Sequence, residues 1–380
     1  MTNSLGIDDK TRARDWPYLT EKEVIPIVNA YGLSAAIDTI SWHSPRPFSS
    51  AGLIKLTDGT QLFLKRQSLL IRSPQSLQQE HNFISHLAQK NFPVLQPLKN
   101  KNESTITVTK EWVYELFPPL PGRDLYRDTI SWEPYHSEAQ SFSAGQLLAQ
   151  LHKASASYKC PPKKDCLLLS TPKPLLSSHL KTSLESWIET QPHLAAILEN
   201  WPWQEELFTY LEPFHAQLRP FFSSITPLWG HGDWHGSNLA WKNDQAIMAF
   251  DFGLSDQSFA AFDIAIAIER SFIRWVDIKN PKAVSYDLLS AFLKGYTLSR
   301  PLTKDERTLI KVSLPLAHIA FALSEISYYG FFLKDQAGAE IAYKKYLIGH
   351  LKWFLEKDGQ SCLSHLETIL NSLPSTSISE

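Results

Sequence analysis

The chain has 380 residues, 43% apolar and 20% charged, which are the values of a globular protein with room for two lobes. A net charge of −2 gives no electrostatic reason to expect nucleic acid as a partner. Three cysteines (Cys160, Cys166 and Cys362) are too few and too scattered for a disulfide framework or a zinc ribbon, although Cys160 and Cys166 are near enough to pair; this favours a reducing compartment.

In chain order, the first residues lack a basic start followed by an apolar core, so no signal peptide is expected. Residues 1–20 read as a flexible N-terminus and residues 21–31 as a short helix. Three strands follow, at 39–43, 52–56 and 61–65, the last two joined by the Asp58-Gly59 turn. Residues 74–90 form a helix with Leu77, Phe83, Ile84 and Leu87 on one face. Residues 94–98 and 104–116 resemble further strands. Three prolines and a glycine within 117–122 then break regular structure and mark a hinge. Beyond it the pattern is helical: 141–155, 184–200, 203–222, 261–276, 286–298, 304–333 and 337–357. The apolar stretch 312–333 carries Pro315, His318, Ser324, Glu325 and Ser327, so it reads as a buried helix and not a membrane span. A Ser-rich tail from 373 to 380 reads as loose. The expected organisation is an N-lobe at 21–116, a hinge at 117–122 and a C-lobe at 123–372. A cytoplasmic protein with no membrane partner is expected, and the oligomeric state is not legible.

The chemistry concentrates in residues 231–253. His231-Gly232-Asp233-Trp234-His235-Gly236-Ser237-Asn238 leads into apolar runs 239–241 and 246–250 around a polar turn, a β-hairpin pattern that ends in Asp251-Phe252-Gly253. A turn near Asp244 sets Asn238 opposite Phe250, so Asn238 and Asp251 meet at the open end. An amide oxygen beside a carboxylate suits Mg²⁺, a hard cation that keeps phosphates and waters as its other ligands. Asp233, five residues before Asn238, can orient an incoming hydroxyl and take its proton without joining the metal site.

The order His-x-Asp-x4-Asn followed by Asp-Phe-Gly resembles the catalytic and metal-binding loops of the protein-kinase-like superfamily. The variant His-Gly-Asp-x-His-x-x-Asn is similar to its aminoglycoside phosphotransferase branch, which includes choline- and homoserine-kinase relatives; Gly232 stands where protein kinases usually carry Arg. The resemblance implies an α+β, bilobal fold, with a small antiparallel N-lobe sheet, one helix and a larger helical C-lobe. It implies an ATP- and Mg²⁺-dependent phosphotransferase acting on a hydroxyl of a small molecule such as an aminoglycoside, amino alcohol or sugar.

The resemblance also distributes roles. Lys65, ending the third strand, would pair with the nucleotide phosphates, with Lys55 a weaker candidate. Glu80 would fix Lys65, since it shares the face of Leu77 and Ile84. The segment 44–52 holds one glycine, so Ser49 or Ser50 and backbone N–H groups would cover the phosphates. The connector 114–117, Glu115 and Phe117 included, would offer its backbone to adenine. His231 would brace the loop. Asp263 would cap the helix after it and hold the catalytic-loop backbone. His231 and His235 lack the further ligands zinc needs. Trp234, His235, Glu269, Trp275, Glu325, Tyr328 and Tyr329 are conceivable acceptor contacts, and Glu325 inside an apolar helix needs a partner. Only nine residues separate Gly253 from Asp263, too few for a peptide-docking activation segment. A protein-directed kinase and a non-catalytic nucleotide-binding regulator are the rival readings.

Overall fold

The computed structural model describes residues 15–44, 48–127, 129, 131–164 and 167–374. The expected flexible start (1–14), part of the phosphate-covering loop (45–47), Cys166 and most of the tail lie outside these residues.

Helix α1 (Glu21–Ala30) precedes a five-stranded antiparallel sheet of order β1-β2-β3-β5-β4, built from β1 (Ile37–His43), β2 (Ser50–Leu56), β3 (Gln61–Ser68), β4 (Thr107–Val108) and β5 (Trp112–Phe117). Alternation puts Ile54, Leu56, Leu62, Leu64, Tyr114 and Leu116 into one core with Val24, Ile27 and Val28 of α1. Helix α2 (Pro74–Gln89) starts with Pro74 in its first turn, and Ser73 accepts the Ser76 N–H as N-cap. Its Phe83, Ile84 and Leu87 join the large core of the helical half.

That half holds α3 (Glu138–Ser155), α4 (Leu180–Glu189), α5 (Pro192–Leu198), α6 (Trp203–Leu218), α7 (Ala260–Phe272), α8 (Tyr286–Ser299), α9 (Lys304–Ser313), α10 (Ile319–Ser327), α11 (Gln336–Ile341), α12 (Ile348–Leu355) and α13 (Lys357–Ser372). Between α6 and α7 lie two short antiparallel pairs, β6 (Leu228–Gly230) with β9 (Asp256–Ser258), and β7 (Leu239–Lys242) with β8 (Gln245–Ala249). The fold is α+β and bilobal, as the sequence pattern implies. Among the described residues one helical run, Lys304–Phe332, is long and apolar enough to cross a membrane, and 89% of its apolar window is buried inside the protein.

Several elements differ from the sequence expectation. Residues 94–98 form no strand: Pro93 and Pro97 remove donors, and the segment makes one parallel bridge, Val94 to Ala249, that ties it to the hairpin. Residues 104–116 split into β4 and β5 at a turn closed by Thr109 N–H to Trp112 O (2.8 Å). Pro192 divides 184–200 into α4 and α5. Pro315 ends α9 and sits in a 3₁₀ turn before α10. Helix α13 had no counterpart in the reading. The end of the N-terminal segment is tied down: Trp16 Nε1 donates to the Tyr328 hydroxyl (2.9 Å), which donates to Asp15.

The close crossing of α3 and α8 depends on two glycines. A Cβ on Gly145 would overlap the Phe292 carbonyl, and one on Gly295 the Phe142 carbonyl. Gly295→Ala is therefore expected to cost about 1–3 kcal/mol through overpacking. A thermal or urea unfolding curve unchanged from wild type would contradict this packing.

Candidate active site

The catalytic loop is built from the backbone outward. Asp263, fully buried in the first turn of α7, accepts the N–H groups of His231 (2.9 Å) and Gly232 (2.8 Å), and His152 Nε2 lies 2.9 Å from it. Burial alone would raise its pKa, but His152 and the two N–H groups hold it below the ordinary value. Asp263 is not the N-cap expected from sequence. Phe259 is, because α7 begins at Ala260 and Asp263 lies within its first turn. Gly232 has φ +75°, and a Cβ there would overlap the Leu254 carbonyl, which explains glycine in place of arginine. His231 sets its Nε2 3.1 Å from Phe250 O and packs on Phe252, bracing the hairpin end.

The hairpin closes as the spacing predicts: Phe250 N–H donates to Asn238 O (3.0 Å). The Asn238 amide donates from Nδ2 to Asp233 O (2.8 Å) and Asp233 Oδ2 (3.1 Å). Its Oδ1 is therefore turned away from Asp233 and has no protein donor among the described residues. Asp251 follows β8 in the left-handed region, φ +56°, a conformation that Asp tolerates better than bulky residues. Its Oδ1 takes the Lys65 ammonium at 2.9 Å. Burial would lower the lysine pKa and raise the aspartate's. Each charge overcomes that for the other, so Lys65 is raised and Asp251 lowered.

Lys65 does not pair with Glu80. Its second carboxylate is Glu115, directly across the β3–β5 ladder at 3.9 Å. Glu115 also meets His81 Nε2 at 2.9 Å and Gln67 Nε2 at 3.3 Å. Glu80 instead lies 3.7 Å from Arg72 and 3.9 Å from Lys163. Both cations donate to Gly253 O, at 2.8 and 3.1 Å. Glu80 thus steadies the loop carrying Asp251, and the ladder positions Lys65. Lys55 pairs with Asp38 at the surface.

Both carboxylate oxygens of Asp233 face a cation or donor. Arg270 Nε lies 2.9 Å from Oδ1 and His235 Nε2 lies 3.3 Å from Oδ2. Burial would raise its pKa, but Arg270 and His235 hold it well below the carboxylate range. His235 and Arg270, the two groups that hold Asp233, also line a small cavity with Tyr126, Ser131, Trp132 and Glu133, among others.

Other expected contacts fall elsewhere. Ser50 is buried, donating to Pro17 O and accepting from Arg66, so it is not offered to phosphate; Ser49 remains at the loop surface. Phe48, in the same loop, packs on Tyr328 of the helical half. Phe117 ends β5 opposite Phe63. Trp234 is fully buried against His231 and is core. Trp275 stacks on His350, and Tyr328 and Tyr329 are buried. Glu269 and Glu325 do not line the cavity; they sit behind Arg270 with His318 and His350. Burial pushes the Glu325 carboxyl up to about 7.

Sequence reasoning missed Arg270, Arg72 and Lys163. Arg270 had a usable signal: it is seven residues after Asp263, two turns of one helix, and so on the face that meets the catalytic loop.

This arrangement, an antiparallel sheet carrying a lysine over a helical half carrying Asp233, Asn238 and Asp251, defines a kinase-like phosphotransferase. The chain belongs to the phosphotransferase enzyme family, whose model matches residues 50–300. It is thus an ATP-dependent small-molecule kinase, with an alcohol group as acceptor. It is similar to an uncharacterized protein of Synechocystis sp., 27% identical over 289 residues, 73% of this chain and 70% of that protein. It is also similar to homoserine kinase of Caulobacter vibrioides, 23% identical over 73% of this chain and 78% of that one. Its fold is similar to that of a spectinomycin phosphotransferase in complex with ADP and spectinomycin, with TM-score 0.53, 12% identity, and coverage of 93% of this chain and 98% of that one.

Asp263→Ala removes one acceptor from three buried donors. It is expected to cost about 3–5 kcal/mol and to lower activity and melting temperature together. A variant with the wild-type melting temperature would remove Asp263 from this role.

Proposed function

We propose that the chain transfers the γ-phosphate of ATP to a hydroxyl of a small molecule entering in front of Asp233, with residues 21–116 and 123–372 as the two lobes and 117–122 as their hinge. The observation that carries this is the single junction where the Asn238 amide, bonded to Asp233, and the Lys65–Asp251 pair close the same hairpin.

The donor set fits Mg²⁺: the outward Asn238 Oδ1 and the Asp251 carboxylate are hard oxygen donors. Bound there, the ion would neutralise phosphate charge. Lys65 would exchange part of its contact with Asp251 for α- and β-phosphate oxygens, while the Glu115 carboxylate keeps its ammonium charged and placed. The backbone of the connector would meet adenine, and Ser49 with loop N–H groups would cover the phosphates. Glu80 is proposed to act through Arg72 and Lys163 on the Asp251 loop.

Asp233 is a weak base while Arg270 and His235 hold it ionised. It would orient the hydroxyl and accept the proton late, after most of the bond to the leaving phosphate oxygen is broken. Arg270 occupies one side of this carboxylate, so the acceptor must share or displace it. Its remaining N–H donors favour an acceptor with an anionic group near the hydroxyl, as in a hydroxy amino acid, over a polycationic aminoglycoside. His235, one bond from Asp233, would sense the same acceptor.

The test is Mg²⁺-dependent ADP release across hydroxy acids, amino alcohols, sugars and aminoglycosides. Asp233→Asn is expected to lower acceptor-stimulated turnover about 10²–10⁴-fold. No stimulation by any acceptor, with intact ATP binding, would point instead to a non-catalytic nucleotide-binding role. Arg270→Gln is expected to shift the acidic limb of the kcat/KM profile to higher pH. The sign follows because Arg270 depresses the Asp233 pKa against a burial effect that raises it, and removing Arg270 leaves burial less opposed. An unmoved limb would separate Asp233 from the ionisation that controls turnover.

A further inference from the structure

Behind Arg270 lies a second cluster that the phosphoryl-transfer reading leaves unused. Glu269 of α7, His318 before α10, Glu325 of α10 and His350 of α12 are each more than nine-tenths buried. His318 Nδ1 is 3.5 Å and His350 Nδ1 3.7 Å from Glu269 Oε1, and one ligand atom from each of the three residues lies within 4.8 Å of the others. On the far edge of its ring, His318 Nε2 is 3.9 Å from Glu325 Oε2. Among the described residues His350 Nδ1, His318 Nε2 and Glu325 Oε2 have no hydrogen-bond partner.

These separations are too long for hydrogen bonds, which would leave several buried polar atoms unsatisfied at about 1–3 kcal/mol each. The two separations from Glu269, 3.5 and 3.7 Å, come near the edges of a coordination shell: metal–ligand bonds of about 2.0–2.1 Å in a tetrahedron set neighbouring ligand atoms about 3.3–3.4 Å apart. Charge points the same way. The carboxyl groups of Asp233, Glu269 and Glu325 all act on one guanidinium, Arg270, so the surroundings favour a further cation. The surroundings fix the donors: Trp132 Nε1 donates to Glu269 Oε1 at 2.9 Å, and Trp275 stacks on His350 at 3.5 Å.

We infer that Glu269, His318 and His350 form a binding site for a divalent transition-metal ion, Zn²⁺ by ligand type, with Glu325 as the outer partner of the His318 Nε2–H. Two imidazoles and one carboxylate select against Mg²⁺, which keeps this site chemically distinct from the Asn238–Asp251 pair. The ion would tie α7, the turn before α10 and α12 together. It would fix Glu269, and through the adjacent residue the approach of Arg270 to Asp233.

The experiment is metal analysis of untagged protein produced in zinc-supplemented medium and desalted without chelator. The expected content is about one zinc per chain, kept by Asp251→Asn and lost, with a lower melting temperature, in His318→Gln and His350→Gln. X-ray absorption on the wild type guards against variants that fail to fold, and a shell of nitrogen and oxygen donors with imidazole scattering is expected. Folded wild type with less than about a tenth of an equivalent of zinc would overturn the inference. So would a content unchanged in both histidine variants, a loss confined to Asp251→Asn, or a shell without imidazole.

Discussion

The carboxylate of Asp263 is the constraint on which the active site rests. One side chain, without solvent contact, accepts two consecutive backbone N–H groups of the catalytic loop and faces His152 from α3. In a low-dielectric interior such charge-assisted bonds are strong when made and costly when lost. They fix the loop from His231 onward, so Asp233, Asn238 and the hairpin end are placed before any substrate arrives. Burial keeps His152 neutral, so it donates from Nε2 and takes the Tyr296 hydroxyl on Nδ1.

From that anchor the cleft is an arrangement of compensated charges. Asp233 is held by Arg270, Asp251 by Lys65, and Glu80 by Arg72 and Lys163. For Asp233 and Asp251 the neighbouring cation holds the carboxylate ionised against burial, which would raise its pKa. A site built this way needs little reorganisation when charge develops on a transferring phosphate. The Glu269–His318–His350–Glu325 cluster breaks the pattern, since His350 Nδ1, His318 Nε2 and Glu325 Oε2 converge without hydrogen-bond partners among the described residues.

What the sequence revealed was local. The 23-residue stretch from His231 to Gly253 encodes its own geometry through a turn, two short strands and residues that tolerate unusual backbone angles. The alternation of β2 and β3 similarly brought Lys65 to the right edge. What it concealed was pairing between distant segments. Glu80 shares the buried face that periodicity assigned to it, yet its partners come from the turn after β3 and the segment after α3, and no pattern links these. Strand 104–116 is interrupted because a three-residue turn is hidden among residues that suit strands, and Ser50 is not free for phosphate because Arg66, its cross-strand partner, claims its hydroxyl. Arg270 needed only the phase of α7 relative to Asp263.

The most direct test of the central claim is phosphorus NMR on the wild type with Mg²⁺, ATP and the acceptor that most stimulates ADP release. The account predicts a new phosphomonoester signal growing as the γ-phosphate signal of ATP falls, in proportion to acceptor consumed. Loss of the γ-phosphate signal to inorganic phosphate alone, with the acceptor unchanged, would contradict transfer to a small-molecule hydroxyl.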